Sequence, residues 1–221
     1  MSIWVKICAN TSLADTQLAV DAEADAVGFV FAPSPRRVTP LLVAAITPHL
    51  PAAIEKIGVF VEGDFASITS VVEQCGLTGV QLHFAADSGG SRLTEELRQH
   101  FGPGLRILRV VHFGSETSAQ LDVASTDPAI DAVLVDSRTA SAVGGTGITF
   151  DWQAAQSTIF APDRKLKLIA AGGLNLGNIA EAIATLRPWG VDVASGVESS
   201  PGRKDPFKVR EFIAGVRIAS S

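Results

Sequence analysis

Eight short apolar runs recur along the chain at intervals of 23 to 35 residues, and this spacing constrains the fold more than any other feature. They are Ile3–Cys8, Ala26–Phe31, Lys56–Val61, Gly79–His83, Arg106–Val111, Asp131–Asp136, Leu166–Ala171 and Val191–Ser195. Most are rich in Val, Ile or Phe, as parallel strands buried on both faces are. Each interval has room for one strand, one helix and two loops, because the crossover between parallel strands takes a dozen residues or more.

The stretches between the runs carry helix signals. Ser12–Ala24 places Leu13, Leu18 and Val20 among polar residues, with Ser12 as cap and Asp15 three residues on. Asp64–Cys75 begins on a capping Asp and ends before Gly76; Ser91–Phe101 ends before Gly102-Pro103. Asn175–Leu186 repeats apolar residues at helical spacing, and Asp205–Val216 opens with Asp205 as cap and Pro206 in the first turn. Strand–helix alternation implies a parallel sheet, either a closed (β/α)8 barrel or an open doubly wound sheet. The first strand–helix turn lacks a G-x-G-x-x-G fingerprint, which favours the barrel. No Pro/Ser-rich linker divides the chain, so one α/β TIM-barrel domain over residues 1–221 is expected.

Composition excludes several classes. With 47% hydrophobic and 19% charged residues in 221, the chain is not intrinsically disordered, and it is long enough to bury about 70% of its unfolded surface. Two Cys do not make a disulfide scaffold. A net charge of −5 without a long basic run argues against nucleic acid. No apolar run reaches the roughly 18 residues of a membrane span, and Met1–Lys6 has no signal-peptide pattern. A cytoplasmic protein is the expectation, without nucleic-acid or membrane partners.

A barrel places its chemistry at the C-terminal ends of the strands. Those ends are Cys8, Phe31, Val61 with Glu62, His83, His112, Asp136, Gly172-Gly173 and Ser195-Gly196. Cys8 reads either as a small buried hydrophobe or, with Lys6 two residues before it on the same face, as a thiolate-forming base. Cys75, at a helix end, reads as packing. Asp136 reads as a turn cap or as a general acid whose pKa burial raises. Gly144-Gly145-Thr146-Gly147, Gly172-Gly173 and Ser195-Gly196 are either tight turns or an anion site, and the loops after strands seven and eight are the usual phosphate site of a barrel. Arg36 and Arg37 either face solvent or supply a guanidinium clamp for a carboxylate or phosphate. Two His without a third ligand do not make a metal site, so no metal is assigned.

In order along nearly the whole chain, these segments resemble the phosphoribosylanthranilate isomerase family of tryptophan biosynthesis. The resemblance rests on Val5-Lys6-Ile7-Cys8, Ala26–Phe31, Ser34-Pro35-Arg36, Val59-Phe60-Val61, Val80-Gln81-Leu82-His83, Leu134-Val135-Asp136-Ser137, Gly144–Gly147 with Thr149–Trp152, Ala171–Asn175 with Asn178, Val191-Asp192-Val193, Ser195–Gly202 and Lys204-Asp205-Pro206. It implies a cofactor-free, metal-free Amadori rearrangement of N-(5-phosphoribosyl)anthranilate to the 1-deoxyribulose product. By motif it implies Cys8 as general base and Asp136 as general acid. Arg36, His83 and Asp192 would contact substrate, and Gly172, Gly173, Ser195 and Gly196 the phosphate. The small-molecule substrate is the expected partner, to a monomer or weak homodimer not fused to the next enzyme. The chain departs from the family at Ala9 (usually Gly), Asn10, Arg37, Phe84-Ala85, Leu176-Gly177 and Ala194. A methyl at position 9 crowds the turn if that turn needs positive φ.

Three other readings stand beside this resemblance. A phosphosugar-binding barrel without turnover would need neither Cys8 nor Asp136. An isomerase that also serves the histidine pathway would carry Asp in place of the strand-one Cys. A Schiff-base aldolase would need a Lys at a strand end, and Lys6 lies deeper.

Overall fold

A computed structural model describes residues 2–83, 90–136, 151–161 and 166–220. Eight parallel strands close into a barrel in chain order, β1 (Trp4–Ile7), β2 (Ala26–Val30), β3 (Glu55–Phe60), β4 (Gly79–Leu82), β5 (Arg106–His112), β6 (Ala132–Asp136), β7 (Leu168–Ala171) and β8 (Gly190–Val193), with β8 paired back to β1. The closed barrel is the fold expected from the spacing, and closure leaves no open strand edge. The strand ends differ by a residue or two from the sequence reading. Cys8, Phe31, Val61 and His83 lie just beyond their strands, and Ser195 lies beyond β8 in a single turn of 3-10 helix, Ser195–Val197.

The helices are α1 (Leu13–Asp21), α2 (Pro40–Ile46), α3 (Phe65–Cys75), α4 (Gly90–Phe101), α5 (Thr117–Ser125), α6 (Trp152–Thr158), α7 (Ile179–Leu186) and α8 (Pro206–Ala219). A short hairpin, β9 (Glu198–Ser200) and β10 (Arg203–Lys204), fills the β8–α8 connection. The expected caps are in place. Ser12 accepts from the Asp15 amide, Asp205 accepts from the Phe207 and Lys208 amides, and Asp64 forms a capping box with Ser67. Gly76 closes α3 at φ +57°, where a side chain would be strained.

Helix α7 starts four residues later than Asn175–Leu186 predicts. The Asn175 and Asn178 side chains bond locally instead. Asn178 Oδ1 accepts from the Asn175 amide at 2.8 Å, and both Asn side-chain amides donate to the Gly173 carbonyl at 3.0 Å. Such side chains offer the backbone an alternative to helix. Helices α2, α5 and α6 were not predicted. They span seven, nine and seven residues.

The apolar core forms two layers. One lies between the outer faces of the strands and the helices, as Phe29, Leu97, Ile107 and Phe212 do. The other fills the lower half of the barrel with Trp4, Ala26, Ile57, Leu108, Val110, Leu134 and Ile169. Trp189 closes the floor, stacked on Trp4 at 5.4 Å. Because side chains alternate along a strand, the inward row of each strand runs from this apolar floor to its C-terminal end. There the row changes character, to Lys6, Gln81, Asp192, His112 and Asp136.

Candidate active site

Lys6 and Asp192 are register partners on β1 and β8, so they share a face. Lys6 is fully buried, and its Nζ donates to Asp192 Oδ1 at 2.8 Å and to Gln81 Oε1 at 2.7 Å. Burial works against the ammonium, but the Asp192 carboxylate and the Cys8 sulfur outweigh it and hold Lys6 above the ordinary lysine value. Gln81 in turn reaches His83, Nε2 to Nε2, at 3.0 Å, and the His83 ring lies 6.0 Å from that of His112.

Cys8 follows β1 and is buried. Its amide donates to Val193 O at 2.8 Å, which ties the thiol to β8. The next residue, Ala9, has φ +62°, so the suspected positive φ is present and the Cβ is accommodated there. Asn10 holds this turn from the far side. Its backbone N–H donates to Gly28 O at 2.9 Å, and its side-chain amide donates to Ile7 O at 2.8 Å and to Gly28 O at 3.2 Å.

The expected push of Cys8 toward thiolate is corrected here. Burial raises the Cys8 thiol and Asp192 adds to that, while Lys6 and then Lys204 pull it down; burial wins, and the thiol sits above its ordinary value. A neighbouring cation was visible in the sequence; the depth of burial opposing it was not.

Asp136 ends β6, paired with His112 on β5 and Ala171 on β7, and is 1% exposed. Its carbonyl accepts from Phe113 N–H at 2.8 Å. Strands β6 and β1 are separated by β7 and β8, so Asp136 and Cys8 rise from well-separated sectors of the mouth.

Arg36 makes a guanidinium clamp, but on the protein's own Glu198, a partner that neither sequence reading named. Arg36 Nε lies 2.9 and 3.1 Å from the two Glu198 oxygens, and Nη2 lies 2.7 Å from Oε2. Lys204, also buried, adds Nζ to Glu198 Oε1 at 3.3 Å and to Ala194 O at 3.1 Å. Burial raises the Glu198 carboxyl, but the Arg36 hydrogen bonds and the Lys204 charge outweigh it and hold it below the usual range. Burial leaves Lys204 below the ordinary lysine value, countered in part by Glu198 and Cys8. Arg37 is exposed, as its solvated reading has it.

The two glycine turns meet. Gly172 and Gly173 follow β7 with φ +81° and +68°, which residues with a Cβ rarely adopt. Gly196, after β8, packs so closely under the Leu174 carbonyl that a Cβ there would overlap its oxygen. The turns after strands seven and eight are thus one contiguous surface, built where barrels bind phosphate. Gly144–Gly147, Ser137, Thr149, Phe150, Phe84 and Ala85 lie outside the described residues.

The sequence reading did not single out Gln81, Glu198 or Lys204 as site residues. Each had a signal. Gln81 is a polar residue inside an apolar strand run, and Glu198 and Lys204 lie in the same Ser195–Pro206 segment as the expected phosphate turn.

Fold and site define a (β/α)8-barrel protein whose strand ends carry buried titratable groups beside glycine-built turns suited to an anion. Comparison with known proteins narrows this. The family model for N-(5'-phosphoribosyl)anthranilate isomerase matches residues 5–215. An N-(5'-phosphoribosyl)anthranilate isomerase from Pelobacter propionicus is 44% identical over 213 residues, 96% of this chain and 94% of that one. Its counterpart from Geobacter sulfurreducens is 42% identical, covering 96% and 97%. The crystal structure of phosphoribosyl anthranilate isomerase from Thermotoga maritima superposes with a TM-score of 0.81 at 34% identity, covering 97% and 98%. One in complex with reduced 1-(o-carboxyphenylamino)-1-deoxyribulose 5-phosphate gives 0.80 at 32%, with the same coverage. The chain belongs to the N-(5'-phosphoribosyl)anthranilate isomerase family.

Proposed function

We propose that the chain isomerises N-(5-phosphoribosyl)anthranilate to 1-(2-carboxyphenylamino)-1-deoxyribulose 5-phosphate, with Cys8 as general base and Asp136 as general acid. The observation that carries the reading is the placement of a buried thiol and a buried carboxyl at separate strand ends around one mouth, with paired glycine turns beside them. The Asp136 carboxyl gives its proton to the ribose ring oxygen, the C1′–O4′ bond breaks, and the anilino nitrogen's lone pair forms the iminium. The Cys8 thiolate then takes the C2′ proton, and the C–H electron pair becomes the C1′–C2′ double bond of the enolamine. Tautomerisation of that enol to the ketone completes the sequence. An acid and a base placed in this way each supply roughly 10²–10⁴-fold.

The remaining roles belong to the same proposal. The turns at Gly172, Gly173, Ser195 and Gly196 anchor the phosphate dianion, which fixes the ribose between acid and base. Arg36, held in place by Glu198, faces the anthranilate carboxylate at the same mouth. His83 and Asp192 border the same mouth and contact the substrate. No metal or cofactor takes part. The unit is a single domain over residues 1–221, cytoplasmic, and a monomer or weak homodimer; a related Thermotoga maritima structure is described as monomers generated from a dimeric isomerase.

The test follows loss of phosphoribosylanthranilate fluorescence, with substrate generated in situ and chelator present, for the parent, Cys8→Ala and Asp136→Asn. Turnover by the parent and a loss of at least about 10²-fold in both variants are expected. A folded parent that binds a phosphorylated product analogue without turning substrate over would overturn the reading in favour of a binding protein.

A further inference from the structure

Lys6 has no part in the acid–base scheme above, yet it is a fully buried charge. A buried ammonium costs several kcal/mol to desolvate, and packing alone favours an apolar residue there. Its hydrogen bonds to Asp192 and Gln81 explain how the charge is tolerated, not why it is present. Its position next to the thiol supplies a reason. Lys6 and Cys8, two residues apart, project the same way into the barrel. Both pass over Gly28 on β2. A Cβ at residue 28 would lie 2.7 Å from Cys8 Sγ and 2.9 Å from Lys6 Cε. The thiol and the end of the lysine side chain therefore gather over one point, and that point is clear only because residue 28 is glycine.

We propose that Lys6 is a positioning residue of the isomerase, its ammonium clamped by Asp192 and Gln81 as the counter-charge of the Cys8 thiolate, with Gly28 leaving the space in which the two meet. The proposal rests on the reading of Cys8 as the base. Among the described residues, the charged groups acting on the thiol are Lys6 from β1, Asp192 from β8 and Lys204 from β10, while β2 contributes the uncharged Gly28. Two cations against one carboxylate favour the thiolate over that of an equally buried cysteine without them. The clamp extends further. Lysine only donates, so Gln81 must turn Oε1 toward it and Nε2 toward His83. His83 Nε2 is then an acceptor, which makes the ring neutral with its proton on Nδ1. One ammonium thus sets the charge balance at the base and the tautomer of a neighbouring substrate contact.

The experiment uses the full-length protein and measures alkylation of Cys8 by iodoacetamide against pH, resolved from Cys75 by peptide mass, beside the pH profile of kcat/KM. In Lys6→Met the pH midpoint of Cys8 alkylation is expected to rise by at least about one unit, a tenfold loss of thiolate below the midpoint. The level of kcat/KM near neutral pH is expected to fall by about the same tenfold, carried mainly by kcat. If circular dichroism shows Lys6→Met unfolded, Lys6→Met/Asp192→Asn removes both charges and leaves none uncompensated. Its midpoint is also expected to rise, because Lys6 acts on the thiol more strongly than Asp192 does. A folded variant with an unmoved midpoint overturns the proposal. Turnover retained in Cys8→Ser would instead overturn Cys8 as the base, and the alkylation midpoint separates the two failures.

Discussion

Replacing Glu198 with Gln removes the carboxylate on which two cations converge. Glu198 is 4% exposed at its side chain and takes three contacts from Arg36 and one from Lys204. Gln offers one acceptor where there were two and turns an N–H₂ toward one of the cations. Breaking a buried ion pair from one side costs about 3–5 kcal/mol. The lower end applies, because Arg36 is 18% exposed and can swing toward water, and Lys204, already below the ordinary lysine value, can shed its proton. A loss of about 3 kcal/mol lowers the Tm of a chain this size by roughly 6–12 °C. The measurement is urea and thermal unfolding of the parent and Glu198→Gln across pH. Glu198 is held below its unfolded value, so its contribution is complete above about pH 4.3 and is lost as pH falls through the folded pKa. The gap between parent and variant should therefore be widest near neutrality and close in acid. A variant within 1 kcal/mol of the parent at neutral pH, or a gap independent of pH, would refute the reasoning.

Gly28→Ala drives a methyl between Cys8 Sγ and Lys6 Cε; a loss of about 1–3 kcal/mol in stability and at least about tenfold in kcat is expected, with product-analogue affinity nearly unchanged by calorimetry. Ala9→Gly relieves about 1–2 kcal/mol of left-handed strain and forfeits part of that through chain entropy and a buried methyl, so the net change should stay within about 1 kcal/mol, and kcat/KM should not fall; a clear loss on either count would show that the methyl is needed. Because burial holds the Cys8 thiol above its ordinary value, the thiolate is a minor species at neutral pH; the logarithm of the Cys8 alkylation rate should climb with a slope near one as pH rises through neutrality, and a flat profile would show that burial does not hold the thiol protonated.

Local chemistry determined a large part of this protein from sequence alone. Strand runs from Ile3 to Ser195 narrowed the fold to a barrel or an open doubly wound sheet, and the missing glycine fingerprint favoured the barrel, because a βαβ repeat of that spacing has few ways to bury its sheet. Caps at Ser12, Asp64 and Asp205 and the stop at Gly76 act within one turn of chain, and they stood where expected. Family motifs named Cys8, Asp136, Arg36 and the glycine turns, and the positive φ at residue 9 was foreseen as a question about one methyl. Contacts between distant residues lay beyond that reach. Arg36 meets Glu198 across 162 residues and Lys6 meets Asp192 across 186, pairings that only the closure of β8 onto β1 creates. The state of Cys8 was decided the same way. Its cationic neighbour is two residues away in sequence, but the burial that overrides that cation comes from the whole mouth folding around it, and desolvation depends on three-dimensional surroundings that no local pattern records.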